Sequence, residues 1–151
     1  MADTLVKVYV HLIFHIKTHS VTVRKPDLGR LFAYLGGIVR GTGGIALGIG
    51  GMPDHVHILA ATPKTMSLSD FVRTVKKESS VWLKTTDAYY APFAWQTGYG
   101  AFSVSPTMLD KTLAYIKGQE IHHQKRTFEE EYRLFLEAYQ IEYDAKYVTN
   151  Y

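Results

Sequence analysis

The chain contains no cysteine. Disulfides and thiolate-held metals are therefore excluded, and any metal must be held by nitrogen or oxygen donors. Long apolar runs are missing as well. No stretch has the length of a membrane span, and Met1–Lys17 alternates in polarity where a signal peptide would carry a solid apolar block. Repeats, low-complexity tracts and linkers are absent, so the expectation is one domain over residues 1–151, cytoplasmic and not membrane-bound. Strong charge is lacking too. A net charge of +3 permits nucleic-acid binding without requiring it. Its distribution is uneven, because Glu129–Glu142 is acidic on one side and leaves the remainder more basic.

What is present is a histidine pair in GMPDHVHILAA, residues 51–61. A turn-like Gly-Gly-Met-Pro-Asp precedes it and an apolar run follows. On a strand, alternate side chains share a face, so His55 and His57 project together while Val56, Ile58 and Ala60 turn towards a core. Two parallel imidazoles can grip a divalent metal. They can equally be two polar residues on a solvated face, and the pair alone does not decide.

A second cluster lies in TMLDKTLAYIKGQEIHHQKR, residues 107–126, which reads as helical with an apolar stripe through Leu109, Leu113 and Ile116. Tyr115 and Gln119 are four apart and share a helix face. A tyrosine can act as a nucleophile towards phosphate, and a carboxamide oxygen can ligate a metal. With eleven tyrosines in the chain, Tyr115 can also be a packing residue.

The periodicities predict a strand over Val6–Lys17, a helix over Pro26–Gly41 and a strand over Ile45–Ile49. A turn at Gly50–Pro53 then leads into the histidine strand, followed by a helix over Ser67–Lys84 and a strand over Phe93–Ser105. The Tyr115 helix and a last helix from Thr127 to about Tyr139 complete the order, with Thr127 and Glu130 matching a capping box. The pattern β-α-β-β-α-β followed by helices predicts an α+β fold. It is a ferredoxin-like or RRM-like antiparallel sheet with helices on one face plus C-terminal helices. In that arrangement the histidine face is expected to stay open to a ligand. His11 and His15 fall on the more polar side of the first strand, where they flank the histidine pair if the strands are neighbours, and are otherwise surface residues or DNA contacts.

Taken together, GGMPDHVHIL, then WQTGYGAFSVS (residues 95–105), then YIKGQ followed by HHQKRTFEEEY resemble the single-tyrosine transposases of bacterial insertion sequences. REP-associated relatives are included, and all belong to the HUH endonuclease superfamily. The resemblance runs over nearly the whole chain. It implies cleavage and rejoining of single-stranded DNA through a 5′-phosphotyrosine, at DNA ends that carry hairpins. It further implies that His55 and His57 ligate Mg2+ or Mn2+, that Gln119 completes the metal shell and that Tyr115 is the nucleophile. A homodimer is implied as well, with composite sites that combine the histidine pair of one subunit and the tyrosine helix of the other.

Positive side chains outside this set are candidate DNA contacts: Arg24, Lys25, Arg73, Lys76, Lys77, Lys125 and Arg126. Clustered Lys and Arg serve phosphate binding, though they also make ordinary solvated faces. Trp82, Trp95, Tyr99 and Phe102 are candidates for base stacking or for the core. The alternative to an enzyme is a non-catalytic RRM-like protein that binds single-stranded nucleic acid. It is disfavoured because that mode relies on sheet aromatics, whereas here the exposed face would carry histidines.

Overall fold

The structure is a computed structural model, and it describes residues 4–122 and 126–142. Four strands form a mixed-order antiparallel sheet: β1 (Tyr9–His15), β2 (Ile45–Met52), β3 (His55–Ala61) and β4 (Gly100–Ser103), arranged β2-β3-β1-β4. The helices are α1 (Leu28–Gly41), α2 (Leu68–Thr86), α3 (Leu109–Lys117), α4 (Gln119–His122) and α5 (Phe128–Ala138). The element order is therefore the β-α-β-β-α-β of a ferredoxin-like sheet, followed by C-terminal helices.

The central strands β1 and β3 pair in antiparallel register, with His15 opposite His55 and Ile13 opposite His57. Alternation then sorts the two faces. Leu12, Phe14, Val56, Ile58 and Ala60 turn to one side and build the main core with Leu31, Leu35 and Val39 of α1 and Phe71, Val72 and Val75 of α2. The helix α2 begins where the sequence places it, because the Ser67 hydroxyl accepts the Asp70 amide at 3.1 Å and caps the first turn.

The other face is not open. Every residue of β3 is buried, the histidines included. A second apolar cluster, in which Ile13 and Phe102 meet Phe128, Tyr132 and Leu136, seats α5 on the histidine face. The physical reason is twofold. Ile13 interrupts the polar side of β1 and gives α5 an apolar foothold, and the apolar stripe of α5 has to be buried somewhere. With both sheet faces covered, an RRM-like sheet-surface binder has no exposed platform here.

Several boundaries also move. The predicted strand over Phe93–Ser105 is a regular strand only at Gly100–Ser103, preceded by an isolated bridge between Ile16 and Trp95. β2 runs on through the predicted turn to Met52, leaving Pro53 and Asp54 as the hairpin turn. Gly48 and Gly50 let α3 lie directly on this strand. A Cβ at Gly50 would stand 2.3 Å from the Ile116 carbonyl oxygen, and one at Gly48 would stand 2.1 Å from Leu113 Cδ1. The predicted continuous helix after Pro106 is broken at Gly118 into α3 and α4.

Candidate active site

Seating α3, α4 and α5 on the histidine face brings six buried polar side chains to one place: His11, His15, His55, His57, Gln119 and Glu131. Burying so many polar groups together is costly unless each is paired, and a chain keeps such a cluster only where something is gained from it.

Two partners outside the cluster's centre set the histidine orientations. His55 Nδ1 lies 2.7 Å from Asp54 Oδ1 and donates to it, which turns Nε2 inward. His57 Nδ1 lies 2.7 Å from His11 Nε2, which turns the His57 Nε2 inward as well. Burial, reinforced by the neighbouring His57, pushes the His11 imidazole down to about 3, so His11 is neutral and can accept from His57. For Asp54, burial alone would raise the carboxyl. Hydrogen bonds from His15 and His55 outweigh it and hold the group well below the ordinary carboxylate range.

The inward atoms converge. His55 Nε2 is 3.0 Å from Gln119 Oε1 and 4.0 Å from Glu131 Oε1. His57 Nε2 is 3.0 Å from Glu131 Oε1. The ligand atoms of His55, His57 and Glu131 all lie within 4.8 Å of one another. With each Nδ1 engaged outward, both Nε2 atoms face oxygens, His55 towards Gln119 and His57 towards Glu131. Two imidazole nitrogens and a carboxylate oxygen gathered this closely, with the Gln119 carboxamide oxygen beside them, make a donor set that fits a divalent metal. The outward hydrogen bonds to Asp54 and His11 are the kind that orient ligating histidines.

Tyr115 completes the site from α3. Its ring stands 5.8 Å from that of His57, and its hydroxyl donates to Glu131 Oε2. Burial, then the hydrogen bond and charge of Glu131, raise its phenol above the ordinary value, so it is a neutral donor in this arrangement. Gln119 bends back across the break at Gly118, its amide nitrogen 3.4 Å from the Tyr115 carbonyl oxygen. Tyr115 and the histidine pair meet within one chain.

Glu131 was not singled out in the sequence, where it is the last of three consecutive glutamates that read as an acidic face. The one available signal was phase. The Thr127 cap fixes the start of α5, and Glu131 then falls on the same stripe as Phe128, Phe135 and Leu136.

The other positive candidates scatter. Arg24 pairs with Asp87 at 3.1 Å and lies over the Tyr89 ring, and Lys25 is exposed beside it. Arg73 is exposed and pairs with Asp70, Lys77 is exposed, and Lys76 is half-buried. Arg126 lines a cavity of about 240 Å³ together with Tyr115 and Glu131. Lys125 lies outside the described residues. Of the aromatic candidates, Phe102 is core, and Trp82 stacks on Tyr34.

Residues 4–119 match the family model described as transposase, IS200 like. The chain belongs to the IS200-like transposase family. The match spans both histidines, Tyr115 and Gln119, and ends before α5 and Glu131. Two solved structures share the fold of this IS200-like chain. One is a candidate transposase from Deinococcus radiodurans R1, at TM-score 0.60 and 22% identity, with 79% of this chain and 95% of that one covered. The other is a REP-associated tyrosine transposase bound to a REP hairpin, at TM-score 0.59 and 13% identity, with 82% of this chain and 74% of that one covered. No curated protein matches. Family membership makes this an enzyme of the transposase kind, acting in DNA recombination, in place of the non-catalytic alternative. Among the described residues, no helix is long and apolar enough to cross a membrane.

Proposed function

We propose that this IS200-like transposase cleaves and rejoins single-stranded DNA at hairpin-bearing ends through a covalent 5′-phosphotyrosine on Tyr115. The observation that carries the reading is the convergence of Tyr115, His55, His57, Gln119 and Glu131 in one buried cluster. The REP-associated neighbour, whose structure holds a REP hairpin, supports the choice of substrate.

In the proposed reaction the Tyr115 oxygen attacks the scissile phosphorus. The bond from phosphorus to the 3′ oxygen of the preceding nucleotide breaks, leaving a free 3′-hydroxyl and a phosphotyrosyl 5′ end. Glu131 Oε2 already accepts the Tyr115 hydroxyl and is placed to take its proton. The departing 3′ oxygen takes up a proton in turn. A later attack by a 3′-hydroxyl on the phosphotyrosine reverses these steps and joins a new end. His55, His57, Gln119 and Glu131 would hold Mg2+ or Mn2+, which supplies positive charge for the non-bridging phosphate oxygens. The two oxygen donors beside the imidazoles suit these harder ions better than two histidines alone would.

Joining two DNA ends calls for two sites, so the proposed working form is a two-fold homodimer. In place of the composite sites that the resemblance implies, the meeting of Tyr115 with His55, His57 and Gln119 inside one chain supports subunits that each work in cis. A subunit carrying His55→Ala and His57→Ala, mixed with a Tyr115→Phe subunit, is expected to give no recovery of cleavage. Recovery would mean that the tyrosine acts across the dimer.

The test of the chemistry is incubation with end-labelled single-stranded hairpin DNA and Mn2+, followed by a denaturing gel. A protein-linked band that disappears with chelator is expected. Binding without any linked product under either metal would contradict the proposal.

A further inference from the structure

A second concave feature lies away from the catalytic cluster, on the opposite side of the sheet. It is a groove of about 550 Å³ between α2 and the segment over residues 93–99. Its apolar side is made by Val72, Phe93, Trp95 and Tyr99, and its rim by Arg73, Lys77 and Lys84, with no acidic residue among those that line it. Arg73, Lys77, Ser80 and Lys84 are spaced four, three and four residues apart, so they form one stripe along α2.

The groove is a built structure. Lys76 Nζ donates to the carbonyl oxygens of Gln96 at 2.6 Å and Gly98 at 2.7 Å, clamping the segment to α2. This accounts for Lys76, a sequence candidate for DNA contact, as a clamp within the protein. The Trp95 indole donates to Ser79 Oγ at 3.0 Å, and its ring meets Phe14 and Phe93 edge to face at 4.6 and 4.9 Å. Trp95 is thus fixed before any ligand arrives. Tyr99 beside it is only partly buried. The segment is also tied to the end of β1 that carries His15, because the Gln96 amide donates to the His15 carbonyl oxygen at 2.8 Å. His15 lies opposite His55 in the sheet register, so the groove and the catalytic cluster share one end of the sheet.

A fixed Trp95 ring and a partly exposed Tyr99 ring under a cationic rim supply the two parts that single-strand binders combine: π-faces for bases and ammonium groups for phosphates. In a duplex the base faces are hidden, so stacking here requires unpaired nucleotides. Lys77 and Lys84 are separated by about 10 Å along the helix axis, a reach suited to one or two nucleotides. We propose that this groove binds an unpaired stretch of the DNA strand, with bases against Trp95 and Tyr99 and phosphates along Lys77 and Lys84. The proposal rests on the reading of the chain as a single-strand DNA transferase, and it assigns that substrate a second contact outside the catalytic site.

The test uses fluorescence anisotropy with a labelled oligothymidylate and with a duplex of equal length, alongside the gel assay for the Tyr115 adduct. The double variant Lys77→Glu/Lys84→Glu changes two exposed side chains. It is expected to weaken oligothymidylate binding about tenfold and to flatten its salt dependence. Tyr99→Ala is expected to weaken binding about tenfold with the salt dependence unchanged. Should Tyr99→Ala fail to fold, crosslinking of iododeoxyuridine-substituted oligonucleotide to the wild-type protein decides. Capture at residues 93–99 supports the groove, and capture only elsewhere overturns it. Unchanged binding in the lysine variant also overturns it. So does displacement of the DNA by polyglutamate as readily as by oligothymidylate, which would mark a site for acidic polymers in general. Loss of binding in these variants with no adduct from the wild type would leave the groove standing and remove the strand-transfer chemistry. Adduct formation with unchanged binding would do the reverse.

Discussion

Glu131 Oε1 stands 3.0 Å from His57 Nε2, although 74 residues separate the two in the chain. The carboxylate's other oxygen accepts the Tyr115 hydroxyl. One buried side chain therefore links the proposed metal-ligand set to the proposed nucleophile. Glu131→Gln keeps the shape and removes the charge. Its expected effect is a loss of Mn2+ affinity of about tenfold or more by titration calorimetry. Unchanged affinity would reduce Glu131 to a structural hydrogen-bond partner.

His55 and His57 are 1% and 0% exposed, and each connects groups on different elements. Replacing either with Ala takes a partner from a buried polar group: Gln119 in one case, together with the partly exposed Asp54, and His11 and Glu131 in the other. Each variant is expected to lose cleavage entirely. Each should also lose about 1–3 kcal/mol of stability, because a buried polar group is left without its partner. Thermal melts and far-UV circular dichroism check this, and a folded, fully stable variant would mean that the cluster relaxes around the gap. A solvated histidine face would have made the change nearly free, and burial beneath α5 is what alters the expectation.

The position of Tyr115 depends on a glycine of the neighbouring strand β2. A Cβ at Gly50 would stand 2.3 Å from a backbone oxygen of α3, which cannot rotate away as a side chain can. Gly50→Ala should displace α3 from β2, lower the melting temperature and slow adduct formation about a hundredfold, since small misplacements of a reacting group are costly. Gly37 is the control. Nothing lies within 4 Å of its added Cβ, so Gly37→Ala should stabilise α1 by up to about 1 kcal/mol and leave adduct formation alone. Equal effects at both positions would contradict the packing argument.

Local pattern carried much of this fold. The two-residue alternation around Val56 correctly separated the histidines from the core, and Ser67 and Thr127 marked helix starts because caps are local chemistry. Tyr115 and Gln119 were legible from a four-residue spacing, and they still meet at the site although Gly118 breaks the helix between them. What local pattern could not carry was decided by packing between distant elements. His11 becomes the support of His57 only because β1 and β3 are neighbours in this register. Glu131 becomes a candidate ligand only because α5 docks across the sheet. The open face expected for a ligand is closed by that same docking, which needed Ile13 to be read as a foothold and not as an exception to alternation.

The most direct measurement is mass spectrometry of the covalent product formed with single-stranded hairpin DNA and Mn2+, compared between the wild type and Tyr115→Phe. The wild-type digest should carry a nucleotide on Tyr115, and Tyr115→Phe should bind the hairpin yet yield no adduct, since only the hydroxyl that meets Glu131 has been removed. A nucleotide on Tyr99, Tyr132 or any other tyrosine, or an undiminished adduct from Tyr115→Phe, would contradict the assignment of Tyr115 as the residue that attacks DNA.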